Sequence, residues 1–157
     1  MLTVSCAEVH DAEAILVLQK LAFQTMAGRI NVPSFPPLSE SLAALLLEFS
    51  TSIILKAIWD RQLVGSVRGR VENNVCDIHR LAVHPDFHGK GVGSKLLSHI
   101  ETSATGVSKY ELFTSTLNIE SLRLYGRRGY VITRVQDVSP AGPIVFMEKV
   151  VNGAQAL

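Results

Sequence analysis

Apolar residues return every three or four positions twice in the first fifty residues. Ile15, Leu18, Leu21, Ala22 and Met26 form one such series, and Leu42, Leu45, Leu46 and Phe49 the other. That spacing predicts two amphipathic helices, one capped by Asp11 and running to about Ala27, the other opened by Ser39 and ending before Thr51. From Ser52 the period shortens to two. SIILKAIW, LVGSVRGRV and the stretch from Val75, separated by turns at Asp60-Arg61-Gln62 and Glu72-Asn73-Asn74, predict an antiparallel meander. Leu2–Glu8 is expected to be an opening strand, Lys109–Thr116 a later one and Asn118–Arg128 a short helix. Tyr130–Val135 and Ile144–Val151 close the chain as a pair around Pro140-Ala141-Gly142-Pro143. Between the first two helices, Gly28–Leu38 holds three prolines and predicts a stiff loop, with Phe35 either plugging the core or serving specificity. The order β-α-α-β-β-β-α-β-α-β-β is that of an α/β domain with a mixed sheet flanked by helices. It spans residues 1–151, with 152–157 a frayed tail.

The most informative stretch is VCDIHRLAVHPDFHGKGVGSKLLSHIE, from Val75 to Glu101. It reads as a buried strand, a turn at His84-Pro85-Asp86, a glycine loop and a helix with Val92, Leu96, Leu97, Ile100 and Ala104 on its apolar face. Ser94, Lys95, Ser98 and Thr102 fall on the polar face. A helix start leaves backbone N–H groups unpaired at the positive end of the macrodipole, so it suits an anion. Gly89, Gly91 and Gly93 clear side chains from those N–H groups, while Lys90 and Lys95 add charge nearby. These features point to a phosphate-bearing ligand. A Walker loop is excluded because Gly93 is followed by Ser94-Lys95 in the wrong order, and a dinucleotide fingerprint fails at Ser94, where a glycine is required.

His88-Gly89-Lys90-Gly91-Val92-Gly93, preceded by Arg80-Leu81-Ala82-Val83-His84-Pro85, is similar to the Q/R-x-x-G-x-G/A loop of the GNAT acetyltransferase superfamily, with His88 departing from Gln or Arg. A second block, Asn118-Ile119-Glu120-Ser121-Leu122-Arg123-Leu124-Tyr125-Gly126-Arg127-Arg128-Gly129-Tyr130, resembles the family's N-x-x-[AS]-x-x-L-Y-x-x-x-G-[FY]. The resemblance implies a GNAT-like fold in which the strands from Val75 and Lys109 run parallel and splay apart at the glycine loop. It implies acetyl-CoA as cosubstrate, with its diphosphate on His88, Gly89, Lys90, Gly91, Val92, Gly93 and Ser94. Backbone groups of Leu81, Ala82 and Val83 would bind the pantetheine, with Asn118 and Ser121 beside it. Tyr125 would act near the sulfur, as general acid to the leaving thiolate. Dimerisation is frequent in the family, and the closing strands are one candidate interface.

Acyl transfer to an amine requires a neutral amine, a stabilised oxyanion and a proton for the thiolate. Asp77 and His79 alternate onto one face of the central strand and are the candidates for the base, the histidine titrating nearer working pH. Each has a plainer reading, His79 as a hydrogen-bonded sheet residue and Asp77 as a partner of Arg80 or Arg68. Tyr125 has one as a buried aromatic, and Asn118 as an N-cap.

Composition narrows the field further. A net charge of +1 gives no basic surface for nucleic acid, and no apolar run is long enough to span a membrane. Cys6 and Cys76 show no metal spacing and are too few for a disulfide framework, which suits a reducing cytoplasm; a bridge between them stays open. The expectation is therefore a cytoplasmic N-acetyltransferase in which a small-molecule or peptide amine attacks acetyl-CoA directly in a ternary complex, without a metal. A cysteine acyl carrier is the lesser route. The alternative is an acyl-CoA-binding module that senses and turns nothing over.

Overall fold

The computed structural model describes residues 1–30, 36–138 and 142–151. Seven strands form one sheet: β1 (Leu2–Cys6), β2 (Ile53–Trp59), β3 (Gln62–Glu72), β4 (Val75–Val83), β5 (Lys109–Ser115), β6 (Val131–Val138) and β7 (Gly142–Val150). The helices are α1 (Ala12–Ile30), α2 (Pro36–Ser39), α3 (Leu42–Glu48), α4 (Val92–Ser103) and α5 (Ile119–Arg127). The strand order is β1-β2-β3-β4-β5-β7-β6, with β4 and β5 parallel and the other neighbours antiparallel. This is the expected mixed sheet with one added short helix, α2.

The meander follows from its turns. Asp60 and Arg61 have φ of 48° and 72°, and Asn73 and Asn74 have 52° and 64°, so both connections are left-handed two-residue turns matching the twist of their strands. On one sheet face α4 buries Val92, Leu96, Leu97 and Ile100 against β3 and β2, and Tyr125 and Tyr130 extend that core over β5 and β7. On the other face α1 and α3 bury Ile15, Leu16 and Leu45 against Ile54. The closeness of α4 depends on two glycines in β3. A Cβ at Gly65 would lie 2.8 Å from both Leu96 Cδ1 and Val92 Cγ1, and one at Gly69 2.9 Å from Ile100 Cγ1.

Several boundaries differ from the sequence reading. Asp11 does not cap α1 as its first residue. It sits in a 3₁₀ turn, Val9–Asp11, where its carboxylate accepts the Glu8 backbone N–H at 2.8 Å and pairs with Lys56 at 2.8 Å. Ser41, not Ser39, caps the next main helix by accepting from Ala44 N, and Ser39 ends α2. Leu21 and Leu46, expected on buried faces, are 41% and 39% exposed. The start of the predicted proline loop is helical through Ile30 and its end belongs to α2, while Phe35 and the 152–157 tail lie outside the described residues. The closing pair is longer than expected, and its turn, residues 139–141, also lies outside them.

Candidate active site

Between β4 and β5 the sheet is continuous only where Val75, Cys76 and Asp77 face Lys109, Tyr110 and Glu111. Beyond those rungs the strands part. β4 also carries a bulge: Arg80 has φ 55°, and the register passes from Arg68↔His79 to Ser66↔Ala82, so Arg80 and Leu81 together oppose Val67. The extra residue redirects the end of β4 along the opening. Leu81, Ala82 and Val83 thus line a cleft of about 530 Å³.

The other walls come from the glycine loop, α5 and α1. Gly91 caps α4 with φ 82°, and the helix's first bond runs from Lys95 N to Gly91 O at 3.0 Å. The N–H groups of Val92, Gly93 and Ser94 therefore have no acceptor within the helix. Gly93 is required by packing, since a Cβ there would stand 3.0 Å from Leu124 Cδ2 of α5. Asn118, Glu120, Ser121, Arg123, Leu124 and Arg127 supply the α5 wall, and Ala22, Phe23 and Met26 of α1 complete the lining. Asn118 caps α5 through Ser121 N at 3.2 Å and turns its amide Nδ2 toward Met26 Sδ at 2.6 Å, joining the two helices across the cleft.

Of the residues expected to bind the cosubstrate, Leu81, Ala82, Val83, His88, Gly89, Gly91, Val92, Gly93, Ser94, Asn118 and Ser121 line this cleft, and Lys90 and Tyr125 do not. Lys90 lies 6.0 Å from the Trp59 ring, and Lys95, expected to charge the helix start, donates to Leu2 O at 2.6 Å instead. His88 pairs with Glu120 at 3.5 Å. Tyr125 is buried against Tyr130, ring centroids 6.0 Å apart, and burial pushes its phenol above the ordinary range.

Asp77 and His79 lie outside the cleft lining, on the strand face toward α1 and α3. His79 Nε2 meets Glu48 Oε1 at 2.8 Å, and its Nδ1 lies 3.3 Å from Asp77 O. Behind this pair is a buried polar network that sequence reasoning missed. Arg68, 1% exposed, grips Glu40 through two bonds of 2.8 and 2.7 Å, reaches Gln19 Oε1 at 2.7 Å and also bonds Glu48. Arg80 stands 3.5 Å from Glu40. Neither arginine pairs with Asp77, contrary to the plainer reading of that residue. Burial alone would raise the Glu48 carboxyl, but the His79 bond and the Arg68 charge pull it down to about 2. Asp77 moves the other way. Although its side chain is exposed, lost hydration at the sheet, reinforced by Glu111 and Glu48, holds it above the usual carboxylate range.

Both cysteines are free thiols. Cys6 is exposed on β1, and Cys76 is fully buried, its thiol pushed up to about 11 chiefly by that burial, which opposes its use as an acyl carrier. Among the described residues no three His, Cys, Asp or Glu side chains are placed to hold a metal ion, and no helix is long and apolar enough to cross a membrane.

Solved structures share this architecture. A PaiA N-acetyltransferase from Thermoplasma acidophilum, in complex with coenzyme A, superposes with a TM-score of 0.80 at 19% identity, over 96% of this chain and 99% of that one. YncA from Salmonella typhimurium, a putative acetyltransferase with its cofactor acetyl-CoA, gives 0.74 at 21% identity, over 96% and 94%. A GNAT-family acetyltransferase from Streptococcus pneumoniae gives 0.71 at 17%, over 96% and 99%. These likenesses concern the fold. The sequence speaks to kinship: residues 18–130, which hold both motifs, match the Acetyltransferase (GNAT) family. The chain belongs to that family.

Proposed function

We propose that the protein is an N-acetyltransferase in which a small-molecule or peptide amine attacks acetyl-CoA directly in a ternary complex. One observation carries the reading: the wedge between β4 and β5 ends at the unpaired N–H groups of a helix opened by glycines. The residues fit the cosubstrate at both ends. Leu81 to Val83 lie beyond the last β4–β5 rung, so their backbone can bond the amides of an extended arm. At the loop, Gly89 and Gly91 have φ of 75° and 82° with no atom within 4 Å of a built Cβ, which leaves an open anion cradle.

When bound, the thioester supplies the activated acetyl group. Tyr125 is assigned to the leaving sulfur. Its raised pKa keeps the phenol protonated at working pH, and giving that proton to a thiolate is uphill, so it serves best as a hydrogen-bond donor to the developing charge, and the released thiolate takes its proton from water. The amine's proton is assigned to His79, with Asp77 beside it. Glu48 anchors Nε2 and leaves Nδ1, with only its long contact to Asp77 O, to take the proton. A homodimer through β6 and β7 completes the proposal, supported by exposed Val131, Ile132 and Val135.

The second reading, a binding module that turns nothing over, is favoured by one feature, since Tyr125 does not line the cleft. Calorimetric titration with acetyl-CoA and CoA, followed by thiol release over an amine panel, separates the two. Binding with release by one amine class is expected. Binding without release from any amine would transfer the assignment to the module, and no binding would end both.

A further inference from the structure

We infer that Arg123 and Arg127 form the seat for the 3′-phosphate of coenzyme A, an inference that rests on the cosubstrate reading above. The two arginines lie one helical turn apart on α5, both are exposed, and both line the cleft that the glycine loop closes. Leu124 sits between them in the chain and packs against Gly93, so α5 is fixed beside the start of α4, with both arginines at the rim.

Among the described residues neither arginine has an ion-pair partner, whereas the other nearby basic side chains have contacts of their own. Lys95 is bonded to Leu2 O, His88 is paired with Glu120, Arg128 meets Glu101 at 3.7 Å, and Lys90 lies over Trp59. The loop wall therefore offers a ligand mainly neutral backbone donors. A diphosphate is well matched by several N–H groups at a helix start. A phosphomonoester carries more charge on one phosphorus and stays partly in water, and two guanidinium forks can divide its three oxygens between them. Coenzyme A carries both groups, and the two walls of the cleft differ in the same way.

The test is titration of the intact protein with CoA and with 3′-dephospho-CoA, repeated on Arg123→Ala/Arg127→Ala. Both positions are exposed, and equal melting temperatures check the fold. The wild type is expected to prefer CoA by on the order of 10- to 100-fold. The double variant should bind the two ligands alike, with unchanged affinity for 3′-dephospho-CoA. Equal loss for both ligands in the variant, or a wild type that does not discriminate, overturns the assignment while leaving the cosubstrate reading intact. A wild type that binds neither ligand overturns both.

Discussion

Arg68 and Tyr125 show how far a single residue's role depends on partners remote in the chain. Arg68 bonds Glu48, Glu40 and Gln19, which lie 20, 28 and 49 positions away. Within LVGSVRGRV it is one polar position in an alternating pattern, and nothing local says that it faces inward or what meets it there. The network was therefore illegible in the sequence, as was the engagement of His79 by Glu48. Its energetics are checkable through pH. Glu48 has a folded pKa near 2 against an ordinary 4.5, so between those values the unfolded chain binds more protons than the folded one. Its stabilisation is complete above about pH 5 and vanishes as the pH falls through 2, amounting to on the order of 3 kcal/mol. Chemical denaturation of Glu48→Gln should accordingly show a flatter stability profile across that interval, and an unchanged slope would remove Glu48 as the source. The motif singled out Tyr125, and its plainer reading as a buried aromatic agrees with the structure, whereas nothing in the sequence told that it would stand outside the cleft lining. Tyr125→Phe is expected to lower kcat by about 10²-fold while barely changing acetyl-CoA affinity; an unaltered kcat would take the hydroxyl out of the mechanism.

At the scale of elements, periodicity succeeded where one partner surface fixes the pattern. All five apolar positions expected on α4 are buried, because the helix lies flat on the sheet. It was less informative for α1 and α3, which rest on the sheet along a narrower stripe and leave Leu21 and Leu46 in solvent. Cap positions slipped because serines stand at both 39 and 41, and only the backbone decides which oxygen meets a free N–H. The glycines of β3 are the less obvious half of the α4 contact. Gly65→Val should destabilise the protein by about 1–3 kcal/mol, since the stiff Val92 and the Ala82 carbonyl 3.2 Å away restrict relief. A denaturation midpoint equal to wild type would show that α4 can lift away freely.

The whole molecule is a four-strand half, β1 to β4, joined to a three-strand half, β5 to β7. The parallel pair and its splaying were implied by the family resemblance. The number of rungs holding the halves together was not, because pairing length depends on where the bulge at Arg80 turns β4 aside. With the seam limited to Val75–Asp77 against Lys109–Glu111, the halves are otherwise held by packing beneath α4 and α5 and by polar contacts, among them Ser108 to Asn74 O, Asn118 to Met26, and Tyr130 and Lys149 to Glu101 of α4. An extended cosubstrate arm along Leu81 to Val83 would act as a splice, adding backbone bonds where the sheet has none. Amide hydrogen exchange at 78–83 and 112–115 should then slow together when coenzyme A is added, while the rungs at 75–77 change little. Slowing confined to the glycine loop would mean that the ligand is held by its phosphates alone. On the spliced picture the protein completes its own sheet only while it is loaded, and each product release reopens the gap beyond the rungs at Val75–Asp77.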